Sequence, residues 1–166
     1  MSDKATIAEL FELAIGAEKA AETLYRGLEA KFAHHPKVAD FWRAYAIEEA
    51  GHARWLKRLR DRASPEQLSA PADPNVQRGM HEVHEFSIED ALKGIKNLED
   101  AYQLANELES AETNATFEFL ITNFPSDERT QSFLRTQLKS HVGKIMIEFP
   151  VQFQPVAARR AIKALE

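Results

Sequence analysis

The sequence predicts an all-α protein whose core is a bundle of four long helices. Apolar residues recur along the chain at alternating steps of four and three, the spacing that places them on one face of a helix. Proline, which interrupts helices, is concentrated between these stretches. The 166 residues are enough for one compact domain with a core of its own.

The first half of the chain contains two such stretches separated by a short break. Their apolar or small seam residues are Ile7, Phe11, Ala14, Ala21, Tyr25, Leu28 and Phe32 in the first helix, and Val38, Trp42, Tyr45, Leu56 and Leu59 in the second. The break ends at Pro36, and proline is well tolerated in the first turn of a helix. Because the connection is short, we expect the two helices to be antiparallel neighbours.

The second half predicts another pair of helices, after a long segment from residue 63 to about residue 86. Ser87 is the expected N-cap of the third helix, and the segment 123–128 separates it from the fourth. The apolar stripes are Ile88, Leu92, Ile95, Leu98, Tyr102 and Ala105 in the third helix, with Phe133, Leu134, Leu138, His141 and Ile145 on the fourth. We expect residues 1–150 to form the bundle and residues 151–166 to form a tail with a short C-terminal helix.

The order of these connections distinguishes two kinds of bundle. Short turns join helices one and two and helices three and four, whereas a long crossover joins helices two and three. This is the connectivity of a ferritin-like four-helix bundle rather than of a simple up-and-down bundle.

Three positions on the first two seams are polar, namely Glu18, Glu49 and His52. Burying a carboxylate costs several kcal/mol unless a partner compensates for the lost hydration. Glu49 and His52 are three residues apart, so both side chains project from one side of a helical turn. A lone Glu on one helix and Glu-x-x-His on its neighbour predict a buried metal ion, and mixed carboxylate and imidazole ligands suit iron, manganese or zinc.

The seams of the third and fourth helices predict further ligands. Continuing the third stripe leads to Glu109 and Glu112, and the fourth stripe includes His141. The two halves look like a diverged repeat, because Pro36 and His52 are as far apart as Pro125 and His141. That repeat would pair Glu18 with Glu107, but Glu107 falls off the apolar stripe, so Glu109 is preferred.

These motifs resemble those of rubrerythrins and their shorter ferritin-like relatives. Glu18 lies in GAEKAAETLY, Glu49 and His52 in EEAGH, Glu109 and Glu112 in LESAET, and His141 in LKSH. The resemblance implies that these six residues bind metal and that Tyr25 donates a hydrogen bond near it. Leu138 stands where the family has a metal-bridging Glu. One metal, two metals with Glu112 as the substitute bridge, or a decayed site are therefore all open.

Three functions follow from these alternatives. The resemblance implies a non-haem di-iron or di-manganese oxidoreductase that acts on peroxide or dioxygen. Leu138 favours instead a non-catalytic bundle that binds or senses a single metal such as iron or zinc. A structural bundle with a decayed site is the third function. Family bundles often form homodimers, which the resemblance therefore implies here.

Composition narrows the remaining classes. The net charge of −5 lacks the basic patch that nucleic-acid binding requires. No apolar run approaches the roughly 20 residues that span a bilayer, and the first residues do not resemble a signal peptide, so we expect a cytoplasmic protein. With no cysteine, this chain cannot itself hold a thiolate-ligated electron carrier, so redox turnover would need an external donor.

Overall fold

A computed structural model describes residues 5–75, 88–109, 112–124 and 127–147, with side chains throughout except at positions 109, 112–115, 142, 143 and 145–147. The helices in these ranges are α1 (Ile7–Lys31), α2 (Pro36–Arg62), α3 (Pro65–Ser69), α4 (Ile88–Gly94), α5 (Leu98–Glu109), α6 (Glu112–Asn123) and α7 (Glu128–Ile147). The prediction of an all-α, ferritin-like bundle is confirmed.

Helices α1 and α2 form an antiparallel hairpin packed along its length. A capping box starts α1, because Thr6 N donates to Glu9 Oε2 at 2.7 Å and Glu9 N donates to Thr6 Oγ1 at 3.3 Å. Pro36 occupies the first turn of α2, as expected. The predicted seams face inward, and only Ala21 among their apolar members is less than fully buried.

Two apolar clusters fill the core. The turn cluster, near the α1–α2 turn, contains Tyr25, Leu28, Phe32, Val38, Phe41, Trp42, Tyr45, Ala46, Ile95, Ala101, Tyr102 and Ala105. The terminal cluster contains Ile7, Leu10, Phe11, Ala14, Ile15, Ala17, Leu56, Leu59, Ala72, Phe117, Leu120, Ile121, Leu134 and Leu138. Along α1 and α2 the polar seam positions lie between these clusters, so apolar packing encloses them from both ends.

The long connection after α2 begins by folding back onto the start of α1. Ile7 N donates to Ala70 O at 2.9 Å, and Ala72 N donates to Ala5 O at 2.7 Å. These bonds flank a β-bridge between Thr6 and Pro71. The predicted N-cap at Ser87, the C-terminal helix and the 151–166 tail lie outside the described residues, so the domain boundary at residue 150 stays a prediction.

The third predicted helix is interrupted, which corrects the expectation of one continuous stripe. Helix α4 ends at Gly94 and α5 starts at Leu98. Asp100 N donates to the Asn97 side-chain oxygen at 2.8 Å, so Asn97 starts a new helix where the apolar pattern alone would continue the old one. Ile95 is nevertheless buried within the break.

Helix α7 presents a different face from the one expected at its start. Leu134, Leu138 and His141 follow each other at steps of four and three and are all buried. Phe133 is 47% exposed, because one residue along a helix turns the side chain by about a quarter of a turn. Its ring contacts that of Trp55, with centroids 5.7 Å apart. The prediction that Phe133 belongs to the core was therefore wrong.

Candidate metal centre

Three helices bring four ionisable side chains together in the middle of the bundle. Glu18 comes from α1, Glu49 and His52 from α2, and His141 from α7. Their exposed fractions are 3%, 3%, 7% and 1%. Each replaces an apolar residue on its seam, so the helical phase that builds the core also turns these groups toward one another.

Glu49 lies at the centre of this group. His52 Nδ1 is 3.1 Å from Glu49 Oε2, and His141 Nε2 is 2.7 Å from Glu49 Oε1. Glu18 is close by, with its Oε2 3.7 Å from His52 Nδ1. The two imidazole rings cross nearly at right angles with centroids 4.8 Å apart. One carboxylate thus contacts both histidines through different oxygens.

The electrostatics show how unusual the burial of these groups is. Burial, followed by the charge of Glu49, raises the pKa of Glu18 well above its usual range. Burial alone would also raise the pKa of Glu49, but contacts with Glu18, His141 and His52 lower it below the usual value. The pKa values of the two carboxyl groups are therefore shifted in opposite directions, upward for Glu18 and downward for Glu49.

His52 is charged in the same setting. Burial acts to lower its pKa, but hydrogen bonds with Glu18 and Glu49 outweigh burial and raise the pKa to about 9. Without a metal, protons thus supply the positive charge that the buried carboxylates require. A metal cation placed among the same atoms would replace those protons.

The donor set fits a transition-metal ion. Glu49, His52 and His141 each offer one ligand atom, and these atoms all lie within 4.8 Å of one another. Metal–ligand bonds of about 2.0–2.2 Å place ligand atoms up to roughly 4.4 Å apart across an ion, so small side-chain adjustments suffice. Two imidazoles with carboxylates favour iron, manganese or zinc over calcium. Among the side chains that the structure describes, no other group of this kind occurs.

The walls of the centre are aromatic. The Phe117 ring contacts the His52 ring at 4.9 Å, and the Tyr45 ring contacts the His141 ring at 4.6 Å. The Tyr45 hydroxyl also donates to the backbone carbonyl of His141 at 2.9 Å. These contacts exclude water from the ligand atoms and hold α7 against α2.

Glu48 is a site residue that the sequence did not reveal. Its Oε2 lies 2.6 Å from His141 Nδ1, and its other oxygen contacts Lys144. Burial alone would raise the pKa of Glu48, but hydrogen bonds with His141 and Lys144 lower it. In the sequence, only its position next to Glu49 pointed to a role at the site, because the second ring nitrogen of a ligating histidine usually donates a hydrogen bond to a nearby carboxylate or carbonyl.

The other predicted site residues have different outcomes. Tyr25 is fully buried, with its ring stacked on Trp42 at 5.8 Å, and its hydrogen bond near the metal stays a prediction. The side chains of Glu109 and Glu112 lie outside the described residues, so their metal ligation also stays a prediction. Glu107 is exposed and accepts a hydrogen bond from Gln103 at 3.3 Å.

Leu138, at the position of the missing carboxylate, is 8% exposed and packs in the terminal cluster. It lies one helical turn before His141 on the same helix. The α7 side of the site offers one ligand, His141, among the described side chains.

The sequence profile of the rubrerythrin family matches residues 9–130. The matched segment includes Glu18, Glu49 and His52 and ends before His141. No curated protein and no solved structure matches the chain. None of the helices in the described ranges combines the length and apolar character needed to cross a membrane. Because the profile covers more than half of the sequence, the chain belongs to the rubrerythrin family.

Proposed function

We propose that this protein binds iron between its helices and uses it to reduce peroxide or dioxygen with electrons from an external donor. The observation that supports the proposal is the contact of Glu49 with both His52 and His141 in a buried, apolar setting. Glu18 completes a set of two carboxyl groups and two imidazoles. Manganese and zinc suit the same ligands.

A structural role alone does not account for this cluster. Replacing buried ionic groups by apolar residues of similar volume is often neutral or stabilising, so such a cluster does not serve the fold. Seam positions elsewhere on α1 and α2 are apolar or small, which shows that this bundle builds its core without ions where it can. A ligand that binds only the folded chain would stabilise it and so repay the burial of these groups.

In this proposal the residues of the chain have different roles. Glu18, Glu49, His52 and His141 would hold iron, which supplies the one-electron chemistry that none of these side chains can perform. The aromatic rings of Tyr45 and Phe117 exclude bulk water from the ligand atoms. Reduction of one peroxide molecule to two water molecules consumes two electrons and two protons. The chain has no cysteine for a thiolate-ligated carrier, so another protein would supply the electrons.

Leu138 favours a second candidate, a non-catalytic bundle that holds a single metal for sensing or buffering. A carboxylate there would contribute the negative charge that two adjacent dications need, and leucine does not. The described donors suffice for one ion, and a second ion would depend on Glu109 and Glu112. The number of metals bound therefore separates the two candidates.

The first experiment measures metal content and oxidation together. Protein purified from metal-replete cells is assayed for iron, manganese and zinc per chain, and the metal-free protein is then loaded anaerobically with ferrous iron. Addition of peroxide should oxidise the bound iron faster than it oxidises ferrous iron in buffer. The oxidation is measured as the loss of the ferrous signal and the rise of near-ultraviolet ferric absorption.

Matched variants assign the result to the site. Glu49→Gln should abolish the accelerated oxidation. Glu29 is a half-buried Glu near the C-terminal end of α1 and is paired with Arg43, so Glu29→Gln should leave the oxidation unchanged. One metal per chain without accelerated oxidation would support the second candidate. Absence of any bound metal would exclude both. The homodimer and the cytoplasmic location stay predictions.

A further inference from the structure

A cavity of about 500 Å³ lies at one end of the bundle, between the α1–α2 turn and the break that separates α4 from α5. Its polar and apolar lining includes Lys31, His34 and His35 from the turn and Lys96, Leu98 and Glu99 from the break and the start of α5. Sites for small organic ligands have volumes of about 300–1,000 Å³. The cavity is therefore large enough for such a ligand, and its described lining residues are distinct from those of the candidate metal centre.

The charge of the lining favours an anion. Among the described lining residues, two lysines and two histidines outnumber one carboxylate, that of Glu99. A lysine ammonium donates up to three hydrogen bonds, and an imidazole ring has at least one N–H donor in both its neutral and its charged form. The chain as a whole carries a net charge of −5, so this cavity differs in charge from the rest of the molecule.

The donors of the turn are held by contacts of their own. The Lys31 ammonium donates to the backbone carbonyl of Leu92 in α4 at 2.7 Å, which keeps this cation beside the break. One such bond leaves two ammonium N–H groups for a further acceptor. The rings of His34 and His35 contact each other, with centroids 4.4 Å apart. Because all three residues line the cavity, a ligand inside it is within reach of several of these donors.

The start of α5 adds backbone donors. Asp100 N donates to the Asn97 side-chain oxygen at 2.8 Å, and Lys96 N donates to Asp100 Oδ2 at 2.9 Å. The N–H groups of Leu98 and Glu99 precede the first intrahelical bonds and have no acceptor among the described residues. Backbone N–H groups in this position bind oxyanions. They would not define a site by themselves, but here they belong to residues that line a cavity with cationic side chains.

We propose that this cavity binds a small organic phosphate. The phosphate group would accept hydrogen bonds from Lys31, Lys96 and the two histidines, since its charge and its several oxygens suit a group of cationic donors. The cavity has room beyond the phosphate group, and there the organic part would contact Phe32 and the half-buried Leu98. This site is separate from the metal centre, so the inference does not depend on the function proposed above.

The experiment titrates the metal-free, isotope-labelled protein with phenyl phosphate, with inorganic phosphate and with phenol, and follows the backbone amide signals by NMR. Phenyl phosphate should give saturable shifts at residues 31–35 and 96–99, which form the two walls of the cavity. Inorganic phosphate should bind more weakly and phenol not at all. Thermal unfolding provides a second measurement, because a ligand that binds only the folded chain should raise the melting temperature.

Lys96→Ala and Lys93→Ala form a matched pair, because both remove one exposed lysine and change the net charge equally. Lys93 lies in α4, pairs with Glu89 at 3.2 Å and does not line the cavity. Lys96→Ala should weaken phenyl phosphate binding by about three- to fivefold, the size typical of one charged contact near the surface. Lys93→Ala should leave the affinity unchanged.

Two further variants complete the set. His34→Ala should weaken phenyl phosphate binding, because it removes a donor of the turn. Lys96→Arg keeps the charge and a phosphate-binding group, so it should retain the affinity. Circular dichroism of each variant checks that the helices are intact.

The inference is overturned if phenyl phosphate produces no saturable shifts at the two walls of the cavity. It is also overturned if Lys96→Ala and Lys93→Ala lose affinity equally, because binding would then reflect only the net charge of the surface. Inorganic phosphate that binds as tightly as phenyl phosphate would contradict an organic ligand. A protein that binds phenyl phosphate but no metal would support this site and exclude the proposed function, whereas one that binds metal but no phosphate would remove this site alone.

Discussion

The α1–α2 hairpin and the helices from α4 to α7 build their cores differently. Each helix of the hairpin buries a continuous seam, from Ile7 to Leu28 in α1 and from Val38 to Leu59 in α2. Helix α4 buries no side chain completely, and the stripe that begins there is interrupted between Gly94 and Leu98. Three of the four central polar groups come from the hairpin. The comparison teaches that the hairpin is the framework of the site and that the second half closes it.

The largest expected effect tests this difference in packing. Leu28→Ala removes a fully buried side chain of the turn cluster and should lower the free energy of unfolding by about 3–5 kcal/mol, through lost burial and the cavity left behind. Leu92 is a half-buried residue of α4 that packs against the same cluster, so Leu92→Ala should lower the free energy of unfolding by less than about 2 kcal/mol. Urea unfolding of the metal-free proteins measures both. Equal losses would show that the two halves are packed equally tightly.

The next prediction concerns the point where the halves meet. With its pKa raised to about 9, His52 is protonated in the metal-free protein at neutral pH, and the raised pKa of Glu18 favours the protonated form of that carboxyl group. Metal binding must displace such protons, so zinc affinity should rise about tenfold per pH unit for each proton released below pH 9. Calorimetry in buffers of different ionisation enthalpy should count one to two protons released per metal.

The same groups give the stability of the metal-free protein a pH dependence opposite to that of its zinc affinity. Because the folded pKa of His52 lies above its ordinary value of 6.5, its stabilising contribution is complete below that value and is lost as the pH rises toward 9. The raised pKa of Glu18 acts in the same direction. The metal-free protein should therefore be less stable at pH 9 than at pH 7, while zinc binds more tightly. A metal affinity independent of pH would contradict this account of the site.

The smallest expected effect compares two glycines. A Cβ at Gly51 would meet only Arg54 Nη2, at 3.8 Å, so Gly51→Ala should stabilise the hairpin by about 0.5–1 kcal/mol through higher helix propensity. A Cβ at Gly27 would lie 2.5 Å from Leu92 Cδ1, so Gly27→Ala should gain less because α4 must give way. Thermal unfolding of the metal-free variants measures the difference. Equal gains would mean that α4 does not press on α1.

The sequence predicted most of the hairpin and less of the second half for a physical reason. Over long uninterrupted helices the apolar spacing keeps its phase, so Glu18, Glu49 and His52 could be assigned to the interior from position alone. In the second half, the side-chain cap at Asn97 starts a new helix, and a local hydrogen bond of this kind leaves no trace in the spacing of apolar residues.

Glu48 shows a second limit of reading the sequence. It lies off the seam, and the pattern of its own helix assigns it to the surface. Its role depends on His141 and Lys144, which are distant in sequence and reach it only after α7 has packed. Spacing within one helix predicts which residues face inward, but a contact between two helices depends on how far one slides and turns against the other.

The main-chain bonds that join Ala5 and Ile7 to Ala72 and Ala70 have a consequence for the order of assembly. They join the residues just before α1 to the residues that follow α2, so main-chain hydrogen bonds hold the open end of the hairpin together. These contacts all lie within residues 5–72, so they can form before the second half of the chain is present. During synthesis this part of the chain leaves the ribosome well before His141 is made. Glu18, Glu49 and His52 would therefore already face one side of the folded hairpin when α7 packs against it.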